Sequence, residues 1–111
     1  MTLQHDALTK DVLDRLVSTV AEVVATPDLA SFAIARGVDP ARDCHAMGAD
    51  AVVEIFRTDD PNEALEVERA LLTRFAAHER ARPEPIQLRE PPDDEVVRVF
   101  LALWATEGLS S

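Results

Sequence analysis

Apolar positions recur at helical spacing over residues 7 to 25. Leu8, Val12, Leu16, Val20 and Val24 form one stripe, widened by Leu13, Val17 and Val23, with Asp11, Asp14, Arg15 and Glu22 off it. Asp6 suits an N-cap and Thr26-Pro27 closes the pattern, which predicts an amphipathic helix broad enough to cover a sheet. Residues 31 to 36 fit two readings: Phe32 and Ile34 alternate as in a strand, whereas Pro27 before them and Gly37 after them suit a short helix. Asp39-Pro40 then opens a short helical stretch through Arg42, Cys44 and His45, stopped near Gly48. The β-branched run Ala51-Val-Val-Glu-Ile-Phe-Arg57 predicts a strand. Thr58-Asp59-Asp60-Pro61 reads as a turn that becomes the cap of a helix over about 61 to 79. Ala64, Leu65, Leu71, Leu72 and Phe75 supply that helix's expected buried face, with Val67 beside them. Pro83, Pro85, Pro91 and Pro92 make residues 83 to 92 an extended connector. In the last segment, about 95 to 105, Val96 to Trp104 favour a buried strand, although Asp93 and Gly108 would also frame a helix.

These elements add up to one α+β domain spanning residues 1–111, with a small sheet of about three strands covered by the 7–25 and 61–79 helices. Phe32, Ile34, Val53, Ile55, Leu65, Leu72 and Phe75 lie on the apolar phase of their elements and are expected to share one core. A chain of 111 residues suits a single core, and 47% hydrophobic with 29% charged residues is a globular balance. No apolar run approaches a membrane span and no leader pattern precedes the first helix, so a soluble, cytoplasmic protein without membrane partners is expected. Cys44 is the lone cysteine, which excludes an intrachain disulfide and a cysteine-rich zinc site and leaves it the reading of a small buried hydrophobe.

Charge changes the picture further. The formal net charge is −10, which opposes tight, non-specific binding to nucleic acid. The distribution is uneven: residues 69 to 89 carry a net of +3, and the rest of the chain −13. Within the basic stretch Arg74, His78 and Arg82 lie four apart, which would align them on one helix face as an anion-binding strip or a solvated face. Any affinity for DNA is expected to be weak and to depend on Arg74 and Arg82. The chain has no tyrosine at all.

Two stretches carry a family resemblance. The first is Phe32-Ala-Ile-Ala-Arg-Gly-Val-Asp-Pro-Ala-Arg-Asp-Cys-His45; the second is Phe56-Arg-Thr-Asp-Asp-Pro-Asn-Glu-Ala-Leu-Glu-Val-Glu-Arg-Ala-Leu-Leu72. Together, over about residues 30 to 78, they resemble a GIY-YIG nuclease domain: its second strand, arginine-bearing helix, third strand and glutamate-bearing helix. The resemblance implies that Arg42 stabilises a scissile phosphate, that Glu68 holds a divalent metal such as Mg, and that His45 matches the family's histidine. A metal and a fixed cation would then stabilise charge on the phosphate while a base generates the nucleophile. The sequence departs from the family where the tyrosine matters. Ala33-Ile34-Ala35 stands for Tyr-Ile-Gly, and the Gly-Ile-Tyr strand is replaced by the helical pattern of residues 7 to 25.

The expectation is therefore a degenerate GIY-YIG-like domain that binds or regulates without cleaving. One alternative is an active, metal-dependent DNA endonuclease using Glu68 and Arg42. Another places two short helices around Gly37, making a small acidic helical protein that binds a basic protein partner. A homo-oligomer fits either binding reading. Strand or helix at residues 31 to 36 separates the first two readings from the third.

Overall fold

The two Asp-Pro pairs do what their chemistry dictates. The Asp39 carboxylate accepts a hydrogen bond from the Arg42 backbone N–H at 3.2 Å, and that of Asp60 from Asn62 at 3.0 Å; each is followed by a proline in the first helical turn. The computed structural model describes residues 10–82 and 96–106. Its elements in chain order are α1 (Lys10–Val24), β1 (Leu29–Gly37), α2 (Pro40–Met47), β2 (Ala51–Thr58), α3 (Pro61–Arg74) and β3 (Val97–Ala105). The strands form one sheet in the order β1-β3-β2, with β3 antiparallel to both neighbours. The last of the described strands thus lies between the other two, which run parallel to each other. This is an α+β fold. Among the described residues, no helix is long and apolar enough to cross a membrane.

Residues 31 to 36 are strand, because each face of β1 finds its own cover. Phe32 and Ile34 pack with Val20 and Val24 of α1, Ala64, Val67 and Leu71 of α3, and Val97, Val99 and Leu101 of β3. Ala33 and Ala35 turn to the opposite face, where they meet Cys44 of α2 together with Phe100 and Ala102. Small side chains on that face let the eight-residue α2 approach closely. Gly37 extends this: a Cβ there would stand 2.5 Å from an Asp43 carboxylate oxygen, so a larger residue would require that side chain to move aside. Gly48 ends α2 in a left-handed conformation, φ 77°, and its N–H bonds back to the carbonyls of Cys44 and His45.

The segment of β3 that resisted a periodicity argument is buried on both faces, Val97, Val99 and Leu101 towards α1 and α3, Phe100 and Ala102 towards α2. It is a strand, as its valines and aromatics favour.

Two expectations about the 61–79 helix change. It ends at Arg74, and Phe75 caps it with its N–H on the Leu71 carbonyl at 3.0 Å. The chain then folds back, because Phe75 and His78 both pack on Phe32, with ring centroids 6.3 and 5.2 Å away. Past that turn the chain lies parallel to β1 for one residue pair: Phe32 donates to Arg80 O at 3.0 Å and accepts from Arg82 N at 2.9 Å. The second change concerns the core. Ala64, Val67 and Leu71 set the buried stripe of α3, and Leu72, one residue round the helix, is 44% exposed. Leu65 is half-buried, while Val53 and Ile55 pack at the margin of the main core. The start of the 7–25 helix, including Asp6, and the 83–92 connector lie outside the described residues.

Arg80 does for α1 what α1's own sequence lacks. No basic residue occupies the last turn of that helix, and the Arg80 guanidinium donates to the carbonyls of Val24 and Thr26 at 3.0 and 2.7 Å. A cation at the negative end of a helix satisfies orphan carbonyls and complements the helix dipole.

In urea denaturation, Leu71→Ala is expected to destabilise the fold by about 2–5 kcal/mol. The adjacent Leu72→Ala should change stability by about 0.5 kcal/mol or less. Equal losses at the two positions would contradict the stripe described here.

Candidate functional site

Arg36 continues the Phe32–Ile34 phase of β1, so its side chain rises on the face that α1 and α3 cover. There its Nε donates to Glu68 Oε1 of α3 at 2.8 Å. The two side chains are only 15% and 17% exposed, so this charge-assisted bond works in a partly dehydrated setting. Glu68, the candidate metal ligand, therefore has a guanidinium directly on its carboxylate.

Arg42 and His45 lie elsewhere. Both belong to α2, which packs on the opposite face of the sheet through Cys44. The Arg42 side chain is 68% exposed and its Nε is 3.8 Å from an Asp43 carboxylate oxygen. His45 is exposed in the last turn of α2, where its backbone carbonyl accepts from Gly48. The sheet thus separates Arg42 and His45 from Glu68. A divalent cation at Glu68 would have to displace Arg36 or share the carboxylate with it. Among the described residues, no group of three or more histidine, cysteine or acidic side chains could hold a metal ion.

The Arg74–His78–Arg82 strip is also dispersed, since α3 does not persist past Arg74. His78 turns inward against Phe32 and Phe75, and its Nδ1 accepts from the Arg80 backbone N–H at 3.1 Å. The Arg82 guanidinium carbon lies over the Trp104 ring, 3.8 Å from its centre, in a cation–π contact. Arg74 instead joins Arg69 at a groove of about 450 Å³ between α1 and α3, floored by Leu13, Val17 and Ala70.

Two polar features of the structure had no signal in the sequence reading. One is Arg36 as the partner of Glu68, 32 residues away. The other lies on the α2 face of the sheet, where Glu54 holds Arg57 at 2.8 Å and Arg98 at 3.3 Å, and Arg98 also donates to the Val38 carbonyl at 2.6 Å. Pairing of Arg57 opposite Arg98 across β2 and β3 creates that cluster, and spacing along the chain does not encode it.

Cys44 is a buried thiol, 4% exposed among Ala33, Ala35, Phe100 and Ala102, as expected for a small hydrophobe. Burial, and then the negative charge of Asp43, push its pKa up from 9.0 to about 11. An unfolded chain loses this proton first, so the thiol's contribution to stability is complete below about pH 9 and disappears as pH rises through about 11. Urea titrations of the native protein and of Cys44→Ala at successive pH values are expected to diverge across that window, with only the native chain losing the thiol-linked stability. At pH 8 the folded thiol should resist aromatic disulfide reagents until denaturant is added.

No protein-family model, no curated protein and no solved structure matches the chain.

Proposed function

We propose that this domain acts by binding, as a degenerate GIY-YIG-like module that does not cleave phosphodiesters, and that its partner is a basic protein surface. The observation that carries the reading is the Arg36–Glu68 pair: the carboxylate that a nuclease would give to a metal is occupied by a guanidinium at 2.8 Å. Three further facts support it. Arg42 and His45 stand across the sheet from Glu68. The chain has no tyrosine to assist an attacking water. Its net charge of −10 repels a polyanion and attracts a cationic partner.

Purified protein incubated with plasmid and single-stranded DNA, with magnesium or manganese, is expected to leave both substrates intact. Glu68→Gln should lower folding stability by about 1.5–3 kcal/mol, the worth of a hydrogen bond to a charged group, without changing that result. Fluorescence anisotropy should detect binding of a lysine-rich peptide that weakens with salt, and negligible binding of duplex DNA at physiological salt. Metal-dependent cleavage that disappears in both Glu68→Gln and Arg42→Ala would overturn the proposal and restore the nuclease.

A further inference from the structure

β2 has a β-branched, strand-prone sequence and the least cover of the three described strands. From Ala51 to Thr58 every residue is exposed or half-buried, and Val52 is 36% exposed. The pattern of the sheet shows which backbone groups lie bare. Phe32 turns its N–H and C=O away from β3, towards Arg80 and Arg82. Alternation across antiparallel strands then directs those of Val99, Leu101 and Leu103 to β2. Their partners Phe56, Val53 and Ala51 point inward, which leaves the N–H and C=O groups of Val52, Glu54 and Arg57 facing outward. The outer edge of β1 is partly taken by the Arg80–Arg82 segment, but among the described residues no strand pairs with the outer edge of β2. Neither proline nor lysine interrupts its eight residues, and its two charged residues, Glu54 and Arg57, are of opposite sign.

The pairing of β2 with β3 shifts between Glu54 and Phe56, a one-residue bulge at Ile55. The extra residue puts Glu54 and Arg57 on the same face of the sheet with the same outward backbone orientation, and their side chains meet at 2.8 Å. An acidic and a basic residue placed in this way make the edge complementary to itself.

We propose that β2 pairs with β2 of a second copy, antiparallel about a two-fold axis between Ile55 and Phe56, joining the two sheets into one. In that register Glu54 stands opposite Arg57 of the second copy, and Arg57 opposite its Glu54. The bulges face one another, so the pairing is not put out of step. Register with Glu54 opposite itself would set like charges together, which disfavours it. The interface is isologous and closed, so it yields a dimer rather than a fibre. It is independent of whether the domain cleaves anything.

Sedimentation velocity from micromolar to millimolar protein is the test, with circular dichroism to establish that each variant is folded. The native chain is expected to pass from monomer to dimer. Glu54→Arg and Arg57→Glu should each weaken the dimer by about tenfold, because two symmetry-related attractions become repulsions. Mixing the two variants should restore dimerisation, since each then offers the charge that the other lacks. Val52→Pro removes an N–H that points away from β3, and should abolish association while the fold persists. A native chain that stays monomeric throughout, a dimer indifferent to all three substitutions, or a mixture no more associated than its components would each overturn the proposal.

Discussion

A strand inserted between two others must have both of its edges paired and both of its faces covered, and the arrangement of this protein follows from meeting that demand for β3. Its edges take β1 and β2, the only two other strands among the described residues. Its faces need apolar layers above and below, supplied on one side by α1 and α3 and on the other by the much shorter α2. The difference in cover explains the difference in side chains. The two-helix side accepts Phe32, Ile34, Val99 and Leu101, while the buried part of the α2 side is built from alanines, a glycine, Cys44 and the ring of Phe100, with Met47 and Trp104 at its margin.

That division also organises the polar chemistry. The two-helix side carries the ion pair of Arg36 with Glu68, where β1 emerges beside α3. The α2 side gathers Glu54, Arg57 and Arg98 in a more exposed cluster. Side chains that a linear resemblance to a nuclease would assemble at one phosphate are therefore distributed to opposite surfaces. Arginine is suited to this structural work, since its planar fork satisfies a carboxylate or helix carbonyls in fixed geometry. Arg36, Arg80 and Arg98 each bond across 32 or more residues of chain and tie an element to a distant one.

What could be read from the sequence was what is decided locally. The Asp-Pro caps at residues 39 and 60, the αL glycine at 48 and the β-branched run from Ala51 each carry their own instruction, and the elements they announce are in place. Residues 31 to 36 were open to two readings because their outcome rests on tertiary cover, alternating large and small side chains between two unlike layers. The end of α3 at Arg74 has a similar cause. Nothing between Phe75 and His78 forbids a helix, but both rings pack on Phe32, which requires the chain to turn. Leu71 and Leu72 are equally apolar, and only the angle around α3 sends one inward. Of the candidate site, residue identities were legible and convergence was not, because the connection from β1 to β2 places α2 on one face of the sheet and that from β2 to β3 places α3 on the other.

The position of β3 has a consequence for how the protein acquires its structure during synthesis. β1 and β2 have no hydrogen bonds to each other, and the strand that joins them follows α3 in the chain. As a ribosome releases the polypeptide from its N-terminal end, the sequences of α1 through α3 emerge before there is a sheet for their apolar positions to lie on. Every strand pairing must await residues 97 to 105, and closing β1 onto β3 spans about two-thirds of the described sequence. Neither β1 nor β2 can therefore gain a strand neighbour until almost all of these elements have been made, and both gain it from the same nine residues.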